Sequence, residues 1–178
     1  MTANDGIEPD DKDWTWVLGR PCPDCGFDAA AVHANDVAGH IRHDAVNWLT
    51  RLERPEVTER PRPGTWSVLE YGCHVRDVHR IFDRRVHLML DEDAPLFPNW
   101  DQDETAVEDD YASQRPDAVA AELAEAAEAV ANTYAAVPDD AWSRRGLRSN
   151  GSEFTIATIA VYHLHDIVHH AWDVDSAV

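Results

Sequence analysis

Between Tyr162 and Asp173 the chain reads Tyr-His-Leu-His-Asp-Ile-Val-His-His-Ala-Trp-Asp, which sets four histidines and two aspartates within eleven positions. Imidazole and carboxylate are donor types that hold zinc and neighbouring divalent ions. Side chains four residues apart share a helix face, so two pairs can be drawn here: His165 with His169, and Asp166 with His170. The stripe Ile156, Ile159, Ala160, His163, Ile167, His170 and Val174, flanked by Asp166 and Asp173, favours the second pair, because metals in helical bundles are held by inward-pointing side chains. His165 with His169 stays open as the alternative. A third donor must come from another helix. His74, in the apolar run around Cys73 and Val78, is the natural candidate, with His79 in reserve. For any one histidine the plainer reading is a solvated ring or a core residue bonded to a neighbour. Their density in this segment, with a second histidine-bearing helix available, points to metal.

Cys22 and Cys25 stand in Pro-Cys-Pro-Asp-Cys-Gly, a tight turn that aims two sulfurs at one point and resembles half of a zinc knuckle. The other half would have to come from His33, another histidine or a second subunit. A free pair, a disulfide or a redox pair fits the spacing as well.

These residues are carried by four amphipathic periods. The first helix opens after Asp28 and runs to Leu52, with Val32, Asp36, His40, His43 and Trp48 at three- and four-residue steps. Residues 54–64 hold three prolines among charges and form an exposed connection. Thr65 or Ser67 caps the second helix, which runs to about Asp91 and carries His74 and His79. Residues 94–115 make a long, acidic loop with Phe97, Trp100 and Tyr111, of the kind that closes over a site or straps the core. Pro116 opens the third helix, through Val137, and Thr155 caps the fourth, from Ile156 to Val174. The expected architecture is all-α: an up-and-down-type four-helix bundle over residues 27–178, preceded by an irregular arm over residues 1–26 that carries the two-cysteine turn. Phe154 to Val161 is the best strand candidate but flows into a helical period, and Met1 to Lys12 reads as a disordered acidic lead-in.

Trp66-Ser-Val-Leu-Glu-Tyr-Gly-Cys-His-Val-Arg-Asp77 resembles the helix-two motif of the DinB-like superfamily, in which a tryptophan and a small hydroxyl residue start a helix and a metal-binding histidine follows two turns later. His165 to Asp173 is similar to that family's helix-four motif. The resemblance implies a metal-binding four-helix bundle with His74, Asp166 and His170 as ligands, aspartate standing where the isomerase branch has glutamate, and Asp173 orienting a ligand ring. It implies a divalent ion, zinc or nickel, and a low-molecular-weight thiol such as mycothiol, transferred to an electrophile or used in an isomerisation. Arg76, Arg80, Arg84 and Arg85 offer contacts for carboxylates, although pairing with the many acids is the simpler role. The alternatives are metal-assisted hydrolysis, with Asp77 or Asp166 as base, and a metal- or ligand-binding bundle without catalysis.

Acidic residues outnumber Lys and Arg 34 to 15, and the formal charge of −19 repels phosphate backbones and anionic lipid. Nucleic acid and membrane are therefore not expected partners. The absence of a long apolar run, the acidic start and the odd number of cysteines suit a cytoplasmic protein with free or metal-bound thiols. The partners expected are a small thiol and an electrophile, with a homodimer through Trp14, Trp16 and the helix faces as a further expectation.

Overall fold

The computed structural model describes Ile7 and residues 12–177. The acidic lead-in expected over Met1 to Lys12 therefore lies outside the described residues, apart from Ile7 and Lys12. The long helices are α1 (Val37–Leu52), α2 (Val68–Asp91), α4 (Pro116–Ala135) and α5 (Ile156–Ser176), with a short α3 (Gln102–Glu108) in the acidic loop. Residues 29–36, expected as the first turns of α1, instead form two short 3₁₀ segments, and Trp14–Leu18 forms another. The expected four-helix, all-α bundle is present. No helix among the described residues is long and apolar enough to cross a membrane.

The order of packing departs from an up-and-down meander. The consecutive helices α1 and α2 touch little, and each packs instead along α4 and α5. The sequence round the bundle is therefore α1, α4, α2, α5. The proline-bearing connection over residues 53–67 permits this, because it is long enough to carry the chain across the bundle rather than turn it back beside α1.

Residues 145–155 add a short hairpin to the expected all-helical architecture. Arg145–Leu147 (β1) and Glu153–Thr155 (β2) pair antiparallel, with Gly146 opposite Phe154. Only three residues of the Phe154 to Val161 candidate's neighbourhood are extended, and α5 starts at once from Thr155. The hairpin ties the ends of two helices together. The Arg144 guanidinium donates to the carbonyls of Met89 and Glu92 at the end of α2, and the N–H groups of Ile156 and Ala157 donate to Arg144 and Trp142 at the start of α5. On the far edge of β1 the N–H of Phe97 donates to the Leu147 carbonyl and the N–H of Leu147 donates to the Pro95 carbonyl, which anchors the long loop.

Gly146 lies where three layers meet. A Cβ there would stand 2.3 Å from Phe97 Cζ and 2.9 Å from Met89 Cγ, both in the sealed core. At Gly72 the obstacle is only the tip of Leu52, at 2.8 Å. Gly146→Ala is predicted to cost about 1–3 kcal/mol of overpacking in chemical denaturation. Gly72→Ala is predicted to be near neutral, because about 1 kcal/mol of helix propensity offsets the displaced methyl. Equal stability of both variants with the parent would contradict this packing.

Candidate metal centre

The start of α2 sets the position of His74. Ser67 Oγ accepts from the N–H of Glu70 at 3.2 Å, and Glu70 Oε2 accepts from the N–H of Ser67 at 2.8 Å, a reciprocal cap of the kind that contributes about 1 kcal/mol. Arg60 forks onto the same carboxylate. With the first turn held, the residue seven positions after the cap returns to the same face two turns on. That residue is His74, fully buried, with Trp66 at 5.4 Å on one side and Trp100 stacked at 5.6 Å on another. The tryptophan and hydroxyl of the motif thus have separate tasks: the hydroxyl phases the helix and the indole closes over the imidazole.

On α5, Thr155 and Thr158 form a second capping box, and Asp166 and His170 fall one turn apart facing α2. One donor atom from each of His74, Asp166 and His170 lies within 4.8 Å of the others. His74 Nε2 is 3.7 Å from Asp166 Oδ1 and His170 Nε2 is 3.5 Å from the same oxygen, while the two rings meet edge to face at 4.7 Å. At 3.7 Å the first contact is too long for a hydrogen bond. Both nitrogens of His74 and Asp166 Oδ1 are buried without a hydrogen-bond partner. Burial lowers the pKa of His74, so the ring is neutral at neutral pH. Burial also disfavours a charged Asp166, yet the neighbouring His74 and His170 hold its carboxyl well below the usual carboxylate range. The neutral His74 ring and the Asp166 carboxylate, buried with unpartnered donor atoms, and the His170 ring beside them are a donor set that could hold a divalent cation. Asp173 Oδ2 lies 3.0 Å from His170 Nδ1, where it fixes the ring so that Nε2 faces Asp166.

The other histidines go elsewhere. His165 and His169 lie about 100° around α5, the rotation of one residue, and face the N-terminal arm rather than His74. His79, the reserve donor, is a core residue: its Nδ1 is 3.0 Å from His163 Nε2, and His163 Nδ1 is 3.1 Å from the Tyr134 hydroxyl. Burial holds His79 down to about 4 and His163 well below its ordinary value, so this buried chain is uncharged. His33 begins a 3₁₀ turn away from the two cysteines' cluster. Asp77, considered as a base, accepts two bonds from Arg76, one from Arg80 and one at 2.6 Å from the Tyr111 hydroxyl. Despite its burial these donors hold its carboxyl below the ordinary range. It is a structural hub, not a base. Arg76 and Arg80 are occupied there and by Glu122, which leaves Arg85 as the helix-two arginine that reaches the site.

A cavity of about 750 Å³ opens over Asp166 and His170. Trp14, Phe82, Trp100 and Tyr162 form apolar walls, and Arg85 and Arg148 bring positive charge. Neither arginine is ion-paired among the described residues, and burial together with Arg148 lowers Arg85 only to about 10, so it stays charged. Arg148 and Tyr162 carry no sequence signal of their own. Arg148 sits in the hairpin turn, and Tyr162 reads as one more apolar position.

None of the curated proteins matches this chain. Among solved structures it is similar to YfiT from Bacillus subtilis, described as a probable metal-dependent hydrolase with an unusual four-helix bundle topology, at 18% identity and a TM-score of 0.68, with 81% of this chain and 83% of that chain covered. At that identity the likeness is one of fold. The DinB superfamily description matches residues 39–174, which span the four long helices from near the start of α1 to the end of the histidine segment. This chain belongs to the DinB superfamily.

Proposed function

We propose that the protein is a divalent-metal-dependent enzyme that ionises a low-molecular-weight thiol and delivers it to a small, carboxylate-bearing electrophile. The observation that carries this reading is the set of buried, unpartnered donors of His74 and Asp166, with His170 beside them, beneath a cavity lined by two arginines that form no ion pair among the described residues. A zinc or nickel ion held by three protein donors keeps an open position at which a thiol or a water is deprotonated near neutral pH. Asp173 keeps His170 in the tautomer that presents Nε2. Arg85 and Arg148 receive and orient the carboxylate, since a half-buried cation with no ion pair among the described residues favours an anionic ligand. Trp100 stacks on His74 and lines the cavity. A volume of about 750 Å³ accommodates a thiol and a second small molecule together.

The second reading is hydrolysis, with water in place of the thiol. The fold likeness to a probable metal-dependent hydrolase favours it. The two readings share residues and differ in the nucleophile. A thiol's ordinary pKa, near 8.5, asks less of the site than that of water, about 15.7. Cobalt-loaded protein given a small thiol is expected to gain a new thiolate-to-cobalt charge-transfer band, absent from His74→Ala. Turnover of an ester or amide panel without thiol, and no new band with it, would replace the thiol by water.

Elemental analysis of metal-loaded protein is expected to find one equivalent less in His74→Ala and in His170→Ala than in the parent, and the full complement in either variant would move the site. Asp173→Asn is expected to weaken that metal by about 10- to 100-fold in a competitive chelator titration. With a carboxylate substrate, Arg148→Ala should raise KM by about 10- to 100-fold and spare kcat, the loss of a charge-assisted bond of about 1.5–3 kcal/mol.

A further inference from the structure

The Pro-Cys-Pro-Asp-Cys-Gly turn, half a knuckle in the sequence, meets its other half in the fold. The two histidines that α5 turns away from His74 come down on it: one donor atom from each of Cys22, Cys25, His165 and His169 lies within 4.8 Å of the others. We propose that these four residues form a second, structural zinc site that fastens the N-terminal arm to α5. The proposal stands apart from the triad and needs none of its residues.

The geometry supports it at several points. Cys22 Sγ is 3.6 Å from His169 Nδ1. Zinc–sulfur and zinc–nitrogen bonds of about 2.3 and 2.05 Å at the tetrahedral angle separate the two donors by about 3.6 Å. A simple thiol–imidazole hydrogen bond would account for that one distance. It would leave His165 Nε2 buried with no hydrogen-bond partner. His165 is only 4% exposed, so a lone buried nitrogen there is costly unless a cation takes it.

The turn is built to hold the sulfurs together. The N–H of Gly26 donates to the Cys22 carbonyl at 3.0 Å, and the N–H of Cys22 donates to the Phe27 carbonyl at 2.8 Å. Gly26 has φ +74°, a conformation that glycine adopts without strain. All three cysteines are unbridged, and Cys22 is almost fully buried. Trp14 lies 5.7 Å from the His165 ring and 4.8 Å from the His169 ring, and Phe27 meets His165 edge-on at 5.4 Å, so aromatic rings shield the cluster. Two thiolates and two imidazoles form a closed set of four, with no position left for substrate.

The site also touches the candidate active centre. Asp173, which orients His170 at 3.0 Å, has its other oxygen 3.9 Å from His169 Nε2. Trp14 and Asp24, on the fastened arm, line the cavity. Both cysteines precede residues 39–174 while both histidines fall within them, so half of the site lies outside the part of the chain that matches the superfamily.

The test uses the full-length protein purified without added chelator. Zinc-edge X-ray absorption of His74→Ala, which lacks the other centre, is expected to show one zinc with two sulfur and two nitrogen neighbours at about 2.3 and 2.05 Å. The same variant carrying Cys25→Ser is expected to lose that zinc or hold it at least 100-fold more weakly against a chelator. Chelation of His74→Ala should expose the arm to protease cleavage before the bundle unfolds. A zinc-free His74→Ala, a spectrum without sulfur neighbours, or a Cys22–Cys25 disulfide in freshly isolated protein would each overturn the proposal. The spectrum is read on a chain with intact cysteines, so it decides the matter even if Cys25→Ser fails to fold.

Discussion

A neutral imidazole sealed in the core with neither nitrogen bonded, next to a carboxylate oxygen equally alone, is the constraint on which the rest of this structure depends. Each such group costs about 1–3 kcal/mol when left unsatisfied, and the carboxylate costs more because it is held charged. The surroundings make no effort to relieve them. Trp66 and Trp100 close over His74 with ring faces, and the nearest polar group of the opposite helix stands 3.7 Å away. Unsatisfied polar groups in the middle of a bundle are where a ligand is expected, and the proposed metal centre rests on them.

Helix α5 divides its polar residues by angle. Asp166 and His170 face α2 while His165 and His169 face the arm, both pairs bordering the cavity, and Asp173 sits between them with an oxygen toward His169 and one toward His170. His163, a turn earlier, spends itself on His79 and Tyr134 in the core. One histidine-rich segment thus serves three surroundings, and the capping box at Thr155 sets which residue meets which. The hairpin before it matters for the same reason, since Arg144 and Arg148 reach from it to the end of α2 and into the cavity.

Much of this was legible from periodicity. The boundaries of α2, α4 and α5 follow from caps and prolines, because Ser67, Pro116 and Thr155 act locally and within a turn. The choice of Asp166 and His170 as the pair facing α2 follows from the stripe that His170 shares with Ile159 and Ile167 and that Asp166 flanks. What the pattern did not hold was contact between distant segments. The crossing of α1 past α2, the partner of the two-cysteine turn and the reach of Arg148 each depend on how residues far apart in the chain come together. Three residues of β1 were too few to register as alternation, and Asp77 looked available for chemistry until Arg76, Arg80 and Tyr111 were seen around it.

The most direct measurement is anomalous diffraction at the metal edge from crystals grown with one divalent ion. The account predicts a peak among His74 Nε2, the Asp166 carboxylate and His170 Nε2, with protein-to-metal distances near 2.0–2.2 Å, as expected for such ligands. Crystals with no anomalous signal at that point, and with His74 hydrogen-bonded directly to Asp166 or through an ordered water, would contradict it.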